Sequence, residues 1–395
     1  MRPRLVVLLS MIGAFLPLVT DGFLTAIRPM MTELSVGVSG GQLATSVALA
    51  GFAAAQLVVG AVADRYGRRP VLLTAVGLLM LASVGVGTAS SFGALLAFRF
   101  LQGVAAAAGP VLSRTVVRDL CARVEGARVL SLVSMGLAVV PLAVPAVNAV
   151  VAARFGWRAT LVTYVVYSTA ALIATVAWYR ETLVARDPRA LSPRQMGIAA
   201  LAILRHPPAL GYTLCCVFGY GGLATWISAA PHLLYGYFSV PPAQFGLYWA
   251  IPVITYAIGA YASAHALSRY STDAILTAGA AALILGGATL LTMEECNALT
   301  LAGFMAGVAI YNFGWSVVQP HAQAGVLAVQ PERAGRISAI LGFLQMLGGA
   351  GIGLVFGVLY DGSPRAAIVL IAASALSVTV VRVALISRPI TRRAA

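Results

Sequence analysis

Apolar runs of about twenty residues recur along the whole chain, each ended by a short polar connection. They lie near 5–27, 42–62, 71–90, 92–116, 128–153 and 158–179, and resume near 209–234, 243–266, 274–293, 298–323, 337–360 and 366–386. A helix needs about 20 residues to cross the hydrocarbon layer of a bilayer, so each run has the length of a span. Only helices and closed barrels satisfy their backbone polar groups in lipid, and runs of this length are helical. Composition agrees, with 60% hydrophobic and 10% charged residues against roughly 25% charged in soluble domains. The expected fold class is therefore an all-α polytopic membrane protein with twelve transmembrane helices. The first run carries an acid and exceeds a signal-peptide core, so it is read as a retained span.

One connection stands apart. Residues 180–208, RETLVARDPRALSPRQMGIAALAILRHPP, form the longest polar stretch between spans and contain five arginines and four prolines. It divides the chain into an N-terminal six-helix bundle (1–180), a linker (181–208) and a C-terminal six-helix bundle (209–395). Two halves of similar length suit an internal repeat.

The net charge is +14, and every one of the 26 basic residues is an arginine. Their placement excludes a groove-binding basic face and follows the positive-inside rule. One side of the membrane receives Arg2, Arg4, Arg65, Arg68, Arg69, Arg118, Arg123, Arg128, the linker arginines Arg180, Arg186, Arg189, Arg194 and Arg205, then Arg269, Arg333, Arg336, Arg388, Arg392 and Arg393. The other receives only Arg28, Arg154, Arg158 and Arg365. Both termini and the linker are thus expected in the cytoplasm. Cys121, Cys215, Cys216 and Cys296 have neither metal-ligand nor disulfide-framework spacing. There is no Walker loop, and the glycine run Gly348-Gly349-Ala350-Gly351 falls inside a span. No metal, no cofactor and no enzyme chemistry are expected.

Three places interrupt the apolar pattern with charge. The turn after the second span reads GAVADRYGRRPVLL, residues 60–73. Asp64 follows Gly60 by one helical turn on the same face. The small residue would let a neighbouring helix approach closely, and Asp64 would accept hydrogen bonds from that neighbour's N-terminus or pair with an arginine. Such contacts make a latch that forms in one conformation and breaks in another. Within the fourth span, FRFLQG places Arg99 ahead of Gln102 and Gly103; an arginine at membrane depth is costly and marks function. In the first span, PLVTDGF places Asp21 between Pro17 and Gly22 as the one acid well inside a span. It reads as a protonatable carboxylate, with Arg99 as its expected partner.

The pattern Gly60-x-x-x-Asp64-Arg65-x-Gly67-Arg68-Arg69 resembles the signature loop of the major facilitator superfamily. Arg99-x-x-Gln102-Gly103 resembles the motif of its drug/proton antiporters. Asp21 in the first span is similar to the aspartate of the bicyclomycin/chloramphenicol-resistance (Bcr/CflA) exporters. YRETL (179–183), WISAAPHLLY (226–235), FGLYWA (245–250) and Ala334-Gly335-x-x-Ser338 resemble segments of the same group. The resemblance implies the major facilitator fold, proton coupling through Asp21 and Arg99, and a latch at the second connection that holds the outward-facing state. The fifth span departs from that pattern. It keeps Pro141 and Pro145 but has Asn148-Ala149 where a glycine pair is expected.

Tyr220, Trp226, Tyr256, Asn312, Gln319 and Gln345 are candidate substrate-binding residues, supplying stacking and hydrogen bonds for a partly apolar ligand. The function expected is export of small amphipathic drugs or antibiotics in exchange for protons. The protein is read as a monomer in the bacterial cytoplasmic membrane, with small molecules, protons and lipid as partners and no nucleic acid. A dedicated metabolite exporter or importer, and a transport-dead sensor or scaffold, are the alternative readings.

Overall fold

The computed structural model describes residues 3–121, 139–183, 192–241, 244–328 and 334–386, with positions 129, 132, 133, 136 and 186. Arg2, Arg123, Arg128, Arg189, Arg333, Arg388, Arg392 and Arg393, read above as topology signals, lie outside the described residues.

The described chain is helical throughout. The first apolar run is broken into α1 (Pro3–Gly13), α2 (Phe15–Thr20), a 3₁₀ turn (Asp21–Phe23) and α3 (Leu24–Glu33). Its two parts meet at 42°. Pro17 has no N–H to offer the Gly13 carbonyl, so the i to i+4 ladder is interrupted there. Then follow α4 (Val38–Tyr66), α5 (Arg68–Thr88), α6 (Phe92–Ala106), α7 (Ala108–Leu120), α8 (Val139–Phe155) and α9 (Thr160–Trp178). After the linker come α10 (Pro193–Arg205), α11 (Pro207–His232), α12 (Phe245–Ala266), α13 (Thr272–Glu295), α14 (Leu301–Ala328), α15 (Ala334–Leu359) and α16 (Arg365–Val381).

Among the described residues, ten helices are long and apolar enough to cross a membrane, and the bent pair at the N-terminus makes an eleventh. Of the expected fifth span, α8 is the part described as a continuous helix, 17 residues long. The linker differs from its expected form as a polar connection, because α10 occupies much of it. Ala199 and Ile203, spaced one turn apart, are buried, while Ile198, Leu201 and Leu204 of the same helix are exposed.

The two halves of the chain meet where α4 packs along α15 and α8 packs against α12. Two side-chain hydrogen bonds cross between the halves among the described residues. Gln42 Nε2 donates to the Ser228 carbonyl at 2.8 Å, and Ser46 Oγ donates to the Ala350 carbonyl at 3.0 Å. Both lie in the first half of α4, away from its charged end.

Inside the N-terminal half, α4 and α6 cross at Gly103, where a Cβ would collide with the Ala48 carbonyl. The close approach brings Arg99, one turn earlier, against the backbone of α4. Backbone cannot swing aside as a flexible side chain does, so Gly103→Val should cost at least about 1–3 kcal/mol of overpacking strain. The melting temperature of the detergent-solubilised protein should fall by several degrees. An unchanged melting curve would show that the crossing is looser than described.

Candidate functional site

The break in the first span is one centre of buried polar chemistry. The Asp21–Phe23 turn is closed by the Leu24 N–H bonding to the Asp21 carbonyl, a 3₁₀ register inserted between α2 and α3. The Asp21 side chain is buried, at 8% exposure, and accepts a hydrogen bond from Thr20 Oγ1 at 2.8 Å. The Arg99 side chain is buried completely. Its Nε donates to the Ala44 carbonyl at 3.1 Å, and its Nη1 to the Val19 carbonyl at 3.0 Å and to Gln102 Oε1 at 2.8 Å. The guanidinium lies 4.0 Å over the Phe23 ring. Gln102 in turn donates to Ser83 Oγ at 2.9 Å.

The expected Asp21–Arg99 partnership therefore takes a different form. Among the described residues no ion pair joins them. Arg99 instead grips the residues flanking Asp21, Val19 before it and Phe23 after it. The cause is geometric, because acceptors on three elements meet the guanidinium: the Ala44 carbonyl of α4, the Val19 carbonyl of α2 and the Gln102 amide of α6 itself. Only its Nη2 is left buried without a hydrogen-bond partner.

A second set of contacts reaches the break from α8 and α9. Asn148, fully buried, donates from Nδ2 to the Gly22 carbonyl at 2.9 Å, and its Oδ1 accepts from Thr163 Oγ1 at 2.9 Å. Gly22 packs so closely that a Cβ there would stand 2.7 Å from the Tyr164 hydroxyl and 3.0 Å from Val144. Asn148 thus fills the place of the expected glycine pair with a hydrogen-bonding group.

The charged knot sits between α4 and α5. Gly67 has φ +105°, a left-handed conformation that favours glycine, and it closes α4 and opens α5. Arg68, 4% exposed, pairs with Asp64 at 3.4 Å and with Asp119 at the end of α7. Glu181 accepts from the backbone N–H groups of Arg68 (3.1 Å) and Arg69 (3.0 Å), so it caps α5 from beyond α9. It also accepts from Thr182 and Leu183 N–H. Thr182 Oγ1 donates to Asp119 Oδ2 at 3.3 Å. Arg69 Nη2 donates to the Val176 carbonyl at 3.3 Å, and exposed Arg65 lies over the Tyr66 ring.

Two expectations for the knot change. Among the described residues Gly60 shows no close helix approach, because the nearest atom to a Cβ there, on Val111, lies at an ordinary 3.8 Å. Asp64 engages Arg68 within its own half, and among the described residues it bonds to no group of the other half. Asp119 and Glu181 were not singled out as members. The first ends the RTVVRD stretch and the second lies in YRETL, but nothing in either stretch signals that the two converge on one turn.

The substrate candidates do not form one cluster. Tyr256 Oη donates to Gln319 Oε1 at 2.6 Å, joining α12 to α14. Asn312 Nδ2 turns back to the Val308 carbonyl of its own helix, at 2.9 Å. Gln345 Oε1 faces Gln323 Nε2 at 3.5 Å. Trp226 is stacked on Trp249 at 5.7 Å, in a series continued by Phe245 and Tyr235. Tyr220, 7% exposed, packs its ring against Gly349 and lies within electrostatic reach of Asp21 across the two halves.

Comparison with known proteins places these residues in context. The sequence profile of the Major Facilitator Superfamily matches residues 5–353. The chloramphenicol resistance protein of Pseudomonas aeruginosa is 31% identical over 340 residues, covering 85% of this chain and 79% of that protein. The bicyclomycin resistance protein homolog of Haemophilus influenzae is 26% identical over 351 residues, covering 87% and 86%. The crystal structure of a D-xylose-proton symporter superposes with a TM-score of 0.72 at 14% identity, covering 95% of this chain and 96% of that one, which is a likeness of fold.

The cap on α5 has a pH signature. Partial burial works against ionisation of Glu181, but the N–H groups of Leu183, Arg69, Arg68 and Thr182 outweigh it and hold its carboxyl below the ordinary 4.5. A lowered folded-state value adds stability above the unfolded value, and that stability is lost as pH falls through the folded one. Glu181→Gln should therefore melt below the parent protein at pH 7. The gap should shrink once the pH drops beneath 4.5. A gap that is absent at pH 7, or constant down to strong acid, would show that the carboxylate does not hold the turn.

Proposed function

Because the chain belongs to the major facilitator superfamily, a family of membrane transporters, we propose that it exports small amphipathic drugs or antibiotics in exchange for protons. The observation that carries the reading is the buried Asp21 carboxyl in a helix break, next to a fully buried arginine that is not paired with it. Among the described residues that carboxyl has one hydroxyl donor, Thr20, and no ion-pair partner, so gaining or losing a proton changes the electrostatics of the break. Asp21 exchanges the proton. Arg99 fixes the backbone around it, with Gln102 and Gly103 holding Arg99 in place. The names of the relatives, resistance proteins for chloramphenicol and bicyclomycin, support substrates of that neutral, amphipathic kind.

The architecture of the proposal is twelve spans in two six-helix bundles, 1–180 and 209–395, joined by the cytoplasmic linker 181–208. Arginine placement supports both termini in the cytoplasm. On that orientation, Gln42–Ser228 and Ser46–Ala350 bond the halves toward the outer surface, and the knot faces the cytoplasm. Among the described residues Asp64 meets no group of the other half, which supports a state in which the latch is undone. Tyr220 and the Tyr256–Gln319 pair are the leading substrate contacts, with Trp226, Asn312 and Gln345 in supporting places.

Expression in a drug-sensitive bacterium should lower accumulation of a neutral chloramphenicol-like or bicyclomycin-like compound, and a protonophore should abolish the difference. Asp21→Asn should lose the proton-driven efflux while still reaching the membrane. Arg99→Ala should be nearly as damaging, because it frees the Val19 carbonyl and the Phe23 ring together. Undiminished protonophore-sensitive efflux in Asp21→Asn, or accumulation of the compound in place of expulsion, would overturn the reading.

A further inference from the structure

Asn148 is the residue at which the fifth span departs from the resemblance, and the structure gives it a specific task. It is a polar side chain with no exposure, on a helix that is otherwise apolar between Val139 and Val151 apart from its two prolines. Burying an amide in such a place is unfavourable unless both ends are bonded. Both are. A backbone carbonyl accepts only from a donor, so the bond to Gly22 fixes Nδ2 as the end facing the break. Oδ1 is then left for the Thr163 hydroxyl, whose one proton it shares with the Thr160 carbonyl, so that α9 steadies the amide plane. Val144, one turn before Asn148, and Tyr164, next to Thr163, pack directly on Gly22. The break of the first span is thus seated on α8 and α9 by one polar bond and two close contacts, all at the residue following Asp21.

We propose that Asn148 is a positioning residue for proton exchange at Asp21. Its amide ties the Gly22 carbonyl to α8 and α9, so that a rearrangement of the break on proton binding is passed to those helices. The proposal rests on the reading of Asp21 as the proton site. Among the described residues, the charged or titratable groups around that carboxyl are Tyr164 of α9, Tyr220 of α11 and Arg99 of α6, which grips the flanking Val19 and Phe23. None of them donates a hydrogen bond to the Gly22 carbonyl among the described residues, so no other member of the site duplicates the amide.

The test is drug-proton exchange by purified protein in liposomes, followed across pH with chloramphenicol as the probe. Parent protein and Asp21→Asn come first. If the parent shows no proton-driven exchange, or Asp21→Asn retains it, the reading of the proton site fails. With that reading intact, Asn148→Ala should lower the maximal exchange rate several-fold with little change in KM. Asn148→Asp should move the pH midpoint of exchange upward by about half a unit or more, because it sets a second negative charge beside Asp21. Thr163→Val, which keeps the Asn148 amide but removes its orienting hydroxyl, should slow exchange in the same sense and less. It provides the readout if the Asn148 variants do not fold. Well-folded Asn148→Ala with the parent rate and pH midpoint, or parent-like Thr163→Val where Asn148 variants fail to fold, would overturn the proposal and leave Asn148 as packing.

Discussion

A helix broken inside a membrane must find partners for its backbone without help from water, and the rest of this site depends on that constraint. Between α2 and α3 the chain tightens into a 3₁₀ turn at Asp21. The carbonyls on either side are met by side chains from other helices, Val19 by Arg99 and Gly22 by Asn148. Among the described residues, the acid between them takes its one hydrogen bond from its neighbour Thr20. Charge and backbone are therefore handled by different residues. Side chains from α6 and α8 hold the turn in place, and among the described residues the carboxyl has no ion-pair partner.

The α4–α6 crossing shows how a small residue serves this arrangement. The α4–α6 contact at Gly103 sets Arg99 against the backbone of α4. The same closeness supplies the Ala44 carbonyl that helps align the guanidinium. At the far end of α4 the logic is repeated with opposite emphasis. There the turn at Gly67 is tight and near the water boundary, and charged groups rather than carbonyls gather round it. Arg68 is neutralised by Asp64 and Asp119, and Glu181 covers the exposed N–H groups of α5. One turn thereby joins α4, α5, α7 and the segment that leaves α9.

The spans were legible because an apolar run of fixed length is a physical requirement of crossing a bilayer. The residues that break the pattern were legible for the same reason, since Asp21, Arg99 and the knot are costly where they stand. The partners were harder to read. Asn148 showed only as a departure, because an asparagine between two prolines and a run of alanines and valines says nothing of what it faces. Asp119 and Glu181 sit at span ends, where charge is ordinary, and only the folded chain brings them to Gly67. The helix α10 was missed because the arginines and prolines of the linker masked the spacing of Ala199 and Ile203. The pairing of Arg99 with backbone was unreadable, since which acceptor a buried guanidinium meets depends on how closely α4 and α6 cross.

On the proposed mechanism one carboxyl, Asp21, holds the proton that substrate displaces. Proton and drug that oppose each other at one site must do so reciprocally. The direct measurement is proton release when a chloramphenicol-like drug is added to purified protein in weakly buffered detergent solution. The parent protein should release a proton for each drug bound, and Asp21→Asn, which still binds the drug, should release none. Release of the same size from both proteins would contradict it and place the coupling proton on another group.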